Sequence, residues 1–100
     1  MNGIVISYIY SGDEAEWEAV TTAFTDSIAA DTEVGTDFMY IVSKSRESDN
    51  RTHIGRWKSQ TVLNLVQSRD YFKTFAGRLK AMAGDSLKPE GMTVTAMTAQ

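Results

Sequence analysis

Cysteine is absent from the 100-residue chain, and histidine and proline occur once each. Without cysteine the protein has no disulfide, no thiol nucleophile and no cysteine-ligated zinc. One histidine leaves only carboxylates as further metal ligands, so we expect no metal site. The lack of disulfides is compatible with a reducing compartment, and we expect the protein to be cytoplasmic.

Positive charge is also scarce. Ten lysines and arginines stand against 13 acidic residues, which gives a net charge of −3 with no basic block. A nucleic-acid interface needs clustered basic side chains to neutralise phosphates, so we expect no nucleic-acid partner. No apolar run approaches the ~20 residues of a membrane span, and the first residues do not resemble a signal peptide. We therefore expect no membrane partner either.

The chain has the composition of one globular domain over residues 1–100, with 42% hydrophobic and 23% charged residues. Runs rich in β-branched and aromatic residues predict strands. The predicted strands cover residues 4–10, 38–45, 52–59 and 92–99. Apolar residues at helical spacing predict a helix between the first two strands and another between the last two. The order is β-α-β-β-α-β.

Capping residues indicate where the two helices begin. Ser11, with Glu14 three residues later, forms a capping-box pattern for the first helix. Ser59 is positioned to cap the second helix, and Ser68 or Asp70 could start a fresh helical segment within it. Toward the end of the chain, residues 84–89 are predicted to form a loop, because glycine and proline bracket them.

This order of elements is that of the ferredoxin-like α+β fold. The four strands are expected to form an antiparallel sheet with two helices on one face and the first and third strands in the middle. The other face should be polar in a monomer, yet alternation puts large apolar groups on both faces: Val5 and Ile9 oppose Ile4 and Ile6, and Met39 and Ile41 oppose Phe38 and Tyr40. We expect a second copy to cover it in a homodimer. The alternative is a monomer whose serines and threonines wet that face.

The run "HIGRWKSQTVLNLVQSRDYFKTFAGRL" resembles the dimeric α+β barrel superfamily, in particular the antibiotic biosynthesis monooxygenase-like domains. The matching features are Trp57 at the end of the third strand, a short polar step into a helix, Ser68, and the aromatic pair Tyr71-Phe72. Many relatives carry a histidine nine or ten residues after the tryptophan. Val66 and Gln67 stand there in this chain, so a haem-degrading role is not expected.

His53, Gly55 and Trp57 share one face of the third strand, because side chains alternate along a strand. His53 is the candidate catalytic residue, since its ordinary pKa allows it to act as a base at neutral pH. Gly55 would leave a gap and Trp57 would supply a flat wall. The alternative is structural: Trp57 packs as core, and His53 is half-exposed near the hairpin.

The remaining candidates for a ligand pocket are aromatic. Tyr8 and Tyr40 could hydrogen-bond a phenolic or quinone-like ligand, and Phe24, Phe72 and Phe75 would line the wall between sheet and helices. The resemblance implies a small apolar or aromatic ligand and a cofactor-free monooxygenase-like reaction on an aromatic or quinol substrate. The alternative function is a non-catalytic homodimeric accessory or stress-related module. An open cavity reached by His53 or a tyrosine favours the first function, and solid packing favours the second.

Overall fold

An antiparallel sheet of four strands carries its helices on one face in the computed structural model, which describes residues 1–98. A short 3₁₀ turn at Gly84–Ser86 precedes the last strand. The elements in chain order are β1 Asn2–Ile9, α1 Glu14–Ala30, β2 Phe38–Lys44, β3 Asn50–Trp57, α2 Gln60–Ser68, α3 Asp70–Ala83 and β4 Lys88–Thr93.

The strand order β2-β3-β1-β4 confirms the predicted ferredoxin-like α+β fold, with β1 and β3 in the middle. The predicted β2–β3 hairpin is also confirmed. His53 on β3 pairs with Ile6 on β1 and with Val42 on β2. The single histidine therefore lies at the centre of the sheet, with a strand on each side.

The first helix begins differently from the prediction. Asp13, and not Ser11, is its N-cap: the Asp13 carboxylate accepts the backbone N–H groups of Ala15 and Glu16 at 2.8 and 3.3 Å. The predicted capping box is therefore wrong. A carboxylate accepts these N–H groups as well as a hydroxyl does. Which of Asp13 and Ser11 becomes the N-cap therefore depends on where the chain leaves the sheet. Glu14 instead forms an ion pair with Arg51.

The predicted second helix is divided in two, so three helices and not two cover the sheet in the described residues. Ser59 caps α2 as predicted and accepts the N–H of Val62. The predicted interruption after Ser68 is confirmed, but the residue between the helices is Arg69, in an extended conformation. Its guanidinium binds Asp31 at 2.9 Å, which joins the break to the end of α1.

The last strand begins earlier than predicted. Strand β4 covers Lys88–Thr93 and includes Pro89, for which the sequence predicts a loop. The prediction of a strand over 92–99 is wrong for most of its length, and residue 99 lies outside the described residues. Proline is tolerated at an edge strand because its missing N–H can face away from the neighbouring strand. All six residues of β4 are exposed.

The core lies between the sheet and the helices. On the opposite face, Ile9, Ile41, Ile54 and Met92 are 40–56% exposed. The apolar second face predicted from the sequence is therefore present. Exposed apolar side chains from all four strands on one face indicate an interface.

Candidate functional site

Four side chains form a buried chain of hydrogen bonds between the sheet and α1. The indole N–H of Trp17 donates to the Tyr8 hydroxyl at 2.8 Å. The Tyr8 hydroxyl lies 2.7 Å from His53 Nε2, and the Tyr40 hydroxyl lies 2.8 Å from His53 Nδ1. We call this set the Trp–Tyr–His–Tyr chain. It brings the candidate catalytic residue together with both candidate ligand-binding tyrosines.

The sheet register brings these groups together. His53 is opposite Ile6 on β1 and Val42 on β2. Tyr8 and Tyr40 each lie two residues away from those partners and are therefore diagonal neighbours of His53 on the same face. Diagonal neighbours are within reach of long aromatic side chains, so each tyrosine hydroxyl meets a different ring nitrogen.

His53 is fully buried, with no exposed surface. The alternative prediction, that His53 is half-exposed near the hairpin, is therefore wrong. The ring of Phe75, from α3, stacks over the imidazole at a centroid distance of 5.9 Å and closes it off from solvent. Burial lowers the pKa of His53 to about 4, because the charged form loses its hydration. The imidazole is neutral at pH 7, with one nitrogen donating and the other accepting.

The two tyrosines are also neutral at pH 7. Burial raises the pKa of Tyr40. Burial raises the pKa of Tyr8 as well, and the hydrogen bond from Trp17 and the charge of Arg51 oppose that rise without cancelling it. The Trp–Tyr–His–Tyr chain is therefore an uncharged network. It is suited to donating hydrogen bonds and poorly suited to holding an extra proton.

An aromatic layer covers this network. Phe24 and Phe75 stack face to face at 4.0 Å, and the edge of Tyr40 meets Phe24 at 4.9 Å. Phe72 is tilted against Phe24 at 6.2 Å. The three phenylalanines predicted to form a wall are thus brought together: Phe75 contacts both His53 and Tyr40, whereas Phe72 contacts only Phe24 among these rings.

Trp57 lies apart from the network. It is 9% exposed and stacks on Phe38 at 5.9 Å, and its indole N–H has no partner among the described residues. The gap expected at Gly55 is filled. A Cβ placed on Gly55 would lie 3.0 Å from the ring of Tyr40 and 3.3 Å from Ile4. The alternative prediction, that Trp57 packs in the core, is therefore confirmed. Gly55 makes room for Tyr40.

A cleft of about 500 Å³ opens between α1 and α3. Its floor includes Phe24 and Phe75, and Tyr71 and Arg78 belong to its sides. Neither His53 nor Tyr8 lines it, and the same holds for Trp57. The full lining is Ala19, Val20, Ala23, Phe24, Ser27, Tyr71, Thr74, Phe75 and Arg78. The described cleft therefore stops one aromatic layer short of the hydrogen-bonded network.

Arg51 is a buried residue that the sequence analysis missed. It is 3% exposed, pairs with Glu14, and donates to the carbonyl of Tyr10 at 3.1 Å. Its guanidinium lies 4.5 Å from the centroid of the Trp17 ring, a cation–π distance. Arg51 shares a strand face with His53, and this alternation was the available clue to its burial. It holds the indole that begins the Trp–Tyr–His–Tyr chain.

Two further findings concern residues 1–98. No group of three or more His, Cys, Asp or Glu side chains there could hold a metal ion. Within the same residues, no helix combines the length and the apolar character needed to cross a membrane.

Comparison with known proteins finds the same fold in solved structures. SnoaB, a cofactor-independent oxygenase from Streptomyces nogalater, is 17% identical with a TM-score of 0.75, over 99% of this chain and 97% of that one. A protein from Caulobacter crescentus, provisionally assigned as an antibiotic biosynthesis monooxygenase, is 16% identical with a TM-score of 0.77, over 95% and 90%. One from Deinococcus radiodurans with the same provisional assignment is 11% identical with a TM-score of 0.75, over 100% and 98%.

No protein-family model matches the sequence, and no curated protein matches it either. The structural likeness spans nearly the whole chain at low identity, so it shows a shared fold. The predicted resemblance to antibiotic biosynthesis monooxygenase-like domains is confirmed at that level.

Proposed function

We propose that the protein binds a small aromatic or quinol-like molecule above the Trp–Tyr–His–Tyr chain and oxidises it as a cofactor-free monooxygenase-like enzyme. One observation carries the proposal: a neutral hydrogen-bond network centred on the fully buried His53 lies beneath Phe75, which also lines the cleft of about 500 Å³. Such a combination of an apolar wall with a few convergent polar groups is typical of ligand sites. The shared fold with a cofactor-independent oxygenase supports the same function.

Phe75 is the proposed point of contact between cleft and network. Its ring lines the cleft and also stacks over His53. Rotation of the Phe75 side chain would connect the cleft to the Trp–Tyr–His–Tyr chain. An aromatic ligand would then stack on Phe24 in place of the Phe75 ring. A ligand ring entering from the cleft would then meet His53 and Tyr40.

The proposed reaction needs no flavin or metal. A phenol that loses its hydroxyl proton reacts through a ring carbon with O₂. The ring C–H proton and the distal oxygen then leave with a second proton as water, and a quinone remains. With a pKa of about 4, His53 is too weak a base to keep a phenol's proton. The network would instead lower the pKa of the bound phenol by donating a hydrogen bond to its oxygen, and the phenol's proton would be released to the buffered solvent.

The test uses 1-naphthol, with Ala23→Trp as the key variant. Ala23 is exposed and lines the cleft, so an indole there should fill the cleft without disturbing the core. We expect calorimetry to show naphthol binding to the wild type and at least tenfold weaker binding to the variant. Ala30→Trp, at the exposed end of α1, is the matched control and should bind normally. For the wild type with 1-naphthol, the amount of O₂ consumed should equal the amount of quinone formed.

The same experiments distinguish the proposed enzyme from the alternative function, a non-catalytic module. The complete burial of His53 favours a non-catalytic module, because no described cleft reaches the imidazole. Binding of naphthol without oxygen uptake would support that module. Absence of binding, or equal binding by the Ala23→Trp variant, would contradict the proposed site.

We also propose that the protein is a homodimer built through the uncovered sheet face. Ile41, Ile54 and Met92 stand exposed on that face, from three different strands. Each apolar side chain removed from water contributes roughly 25 cal/mol per Å² buried. A second copy, related by a two-fold axis, presents a matching surface without any further partner.

Ile54→Lys tests this arrangement, because it puts a charge at the centre of the face. Sedimentation analysis should find the wild type as a dimer at micromolar concentration and the variant as a monomer. Ala30→Lys, on α1, is the control and should remain dimeric. A monomeric wild type, or a dimeric Ile54→Lys variant, would rule out this interface.

A further inference from the structure

The hydrogen bonds of the Trp–Tyr–His–Tyr chain have a direction. An indole N–H can only donate, so the bond from Trp17 to the Tyr8 oxygen is fixed. Because the buried imidazole of His53 is neutral, one of its nitrogens donates and the other accepts. Two arrangements are therefore possible, and they differ in which tyrosine keeps a hydroxyl hydrogen without an acceptor.

In the first arrangement the proton is on Nε2 of His53. The Tyr8 oxygen then accepts from both Trp17 and His53, and the Tyr8 hydroxyl hydrogen has no acceptor among the residues described. Tyr8 is only 3% exposed. A buried donor without a partner is costly, and both hydrogen bonds of the Tyr8 hydroxyl are buried, whereas that of Tyr40 is only partly buried. This arrangement is disfavoured.

In the second arrangement the proton is on Nδ1. The Tyr8 hydroxyl donates to Nε2, Nδ1 donates to the Tyr40 oxygen, and every bond runs in one direction from Trp17 toward Tyr40. The hydroxyl hydrogen left over is that of Tyr40. Within residues 1–98, His53 is the hydrogen-bond partner found for this hydroxyl.

Tyr40 is the member of the network best placed to hold a free donor. It is half-buried, and it also lines a separate cleft of about 170 Å³ between α1 and β2. The rings of Phe24 and Phe75 contact it edge-on from the side of the larger cleft. A hydroxyl that accepts a hydrogen bond becomes a stronger donor, because successive bonds polarise one another.

We infer that the Tyr40 hydroxyl donates a hydrogen bond to an acceptor oxygen of the ligand, a ketone or phenolate oxygen on an aromatic ring. Trp17, Tyr8 and His53 are positioning residues that set the direction of the chain. This inference rests on the proposed function and adds to it the group that recognises the ligand.

The tautomer of His53 is the first test. Nitrogen-15 NMR of the wild type at neutral pH should find the imidazole proton on Nδ1 and Nε2 without a proton. A proton on Nε2 would overturn the inference, since Tyr40 would then donate to His53 and not to a ligand.

Binding of a matched pair of probes is the second test. 1-Indanone and indane have the same ring system, and only 1-indanone carries an acceptor oxygen. Calorimetry should show the wild type preferring 1-indanone about tenfold, the ratio for ~1.4 kcal/mol. Tyr40→Phe should lose that preference and bind indane unchanged. Tyr10→Phe, which removes a hydroxyl that donates to the Asp13 carbonyl outside both clefts, should keep it.

The outcomes separate the two proposals. Equal binding of both probes by the wild type would overturn the role of Tyr40 and leave the binding site intact. A preference retained in Tyr40→Phe would do the same. Failure of both probes to bind would contradict the binding site itself, and the inference with it.

Discussion

Replacing His53 with alanine is expected to lower the free energy of unfolding by about 3 kcal/mol. The side chain is fully buried and bridges the hydroxyls of Tyr8 and Tyr40. Its removal leaves those groups short of a partner, at roughly 1–3 kcal/mol for each buried group left unsatisfied. It also leaves a void beneath Phe75, which adds a cavity cost that depends on how far the site collapses.

Urea unfolding at pH 7 and fixed protein concentration measures this change. Gln67→Ala is the control, because Gln67 is exposed on α2 and lies outside both the network and the uncovered sheet face. The control should change stability by no more than about 0.5 kcal/mol. A loss below about 1 kcal/mol for His53→Ala would show that the imidazole is not a central packing group.

Acidification from pH 6.5 to pH 4 is expected to destabilise the wild type by up to about 3 kcal/mol through His53 alone. Its pKa falls from 6.5 to about 4 on folding, because burial disfavours the imidazolium. Between these values the unfolded chain binds the proton and the folded one does not, so stability decreases as the pH falls. The difference of about 2.5 pH units, at 1.36 kcal/mol each, gives the expected size.

His53→Gln isolates this contribution, since glutamine does not titrate. The difference in unfolding free energy between wild type and variant should shrink as the pH falls through this window and level off below it. The ion pair of Glu14 affects stability at lower pH. Arg51 holds the pKa of Glu14 near 2, below its ordinary value of 4.5, so the contribution of Glu14 to stability begins to be lost only below about pH 4.5. Parallel stability curves for the two proteins between pH 6.5 and 4 would contradict a buried neutral imidazole.

The candidate site was only partly predictable. Tyr8, Tyr40 and His53 were identified as polar candidates, but their joint hydrogen bonding was not. Alternation along one strand shows which side chains share a face, and it does not give the register between strands. The diagonal placement of both tyrosines about His53 depends on that register. Arg51 was missed because its burial requires Glu14 and Trp17 from a helix distant in sequence.

The ends of the helices and strands were likewise only partly predictable. The cap at Ser59 was predictable because it depends on groups within one turn of the chain. The break after Ser68 was also predicted, but no side chain caps α3, and Arg69 at the break binds Asp31 from the end of α1. The choice of Asp13 over Ser11 was not predictable, because it depends on the path by which the chain leaves β1. The early start of β4 was hidden by Pro89, which an edge strand accepts and a central strand would not.

The sequence by itself determined the order of the elements, the ferredoxin-like sheet and the apolar character of both sheet faces. These follow from side-chain periodicity, which acts over a few residues at a time. Only the tertiary structure decided that His53 is buried and neutral, and that Tyr40 occupies the space at Gly55. Burial of a polar strand residue depends on which helix docks above it, and here Phe75 of α3 closes the imidazole off from water.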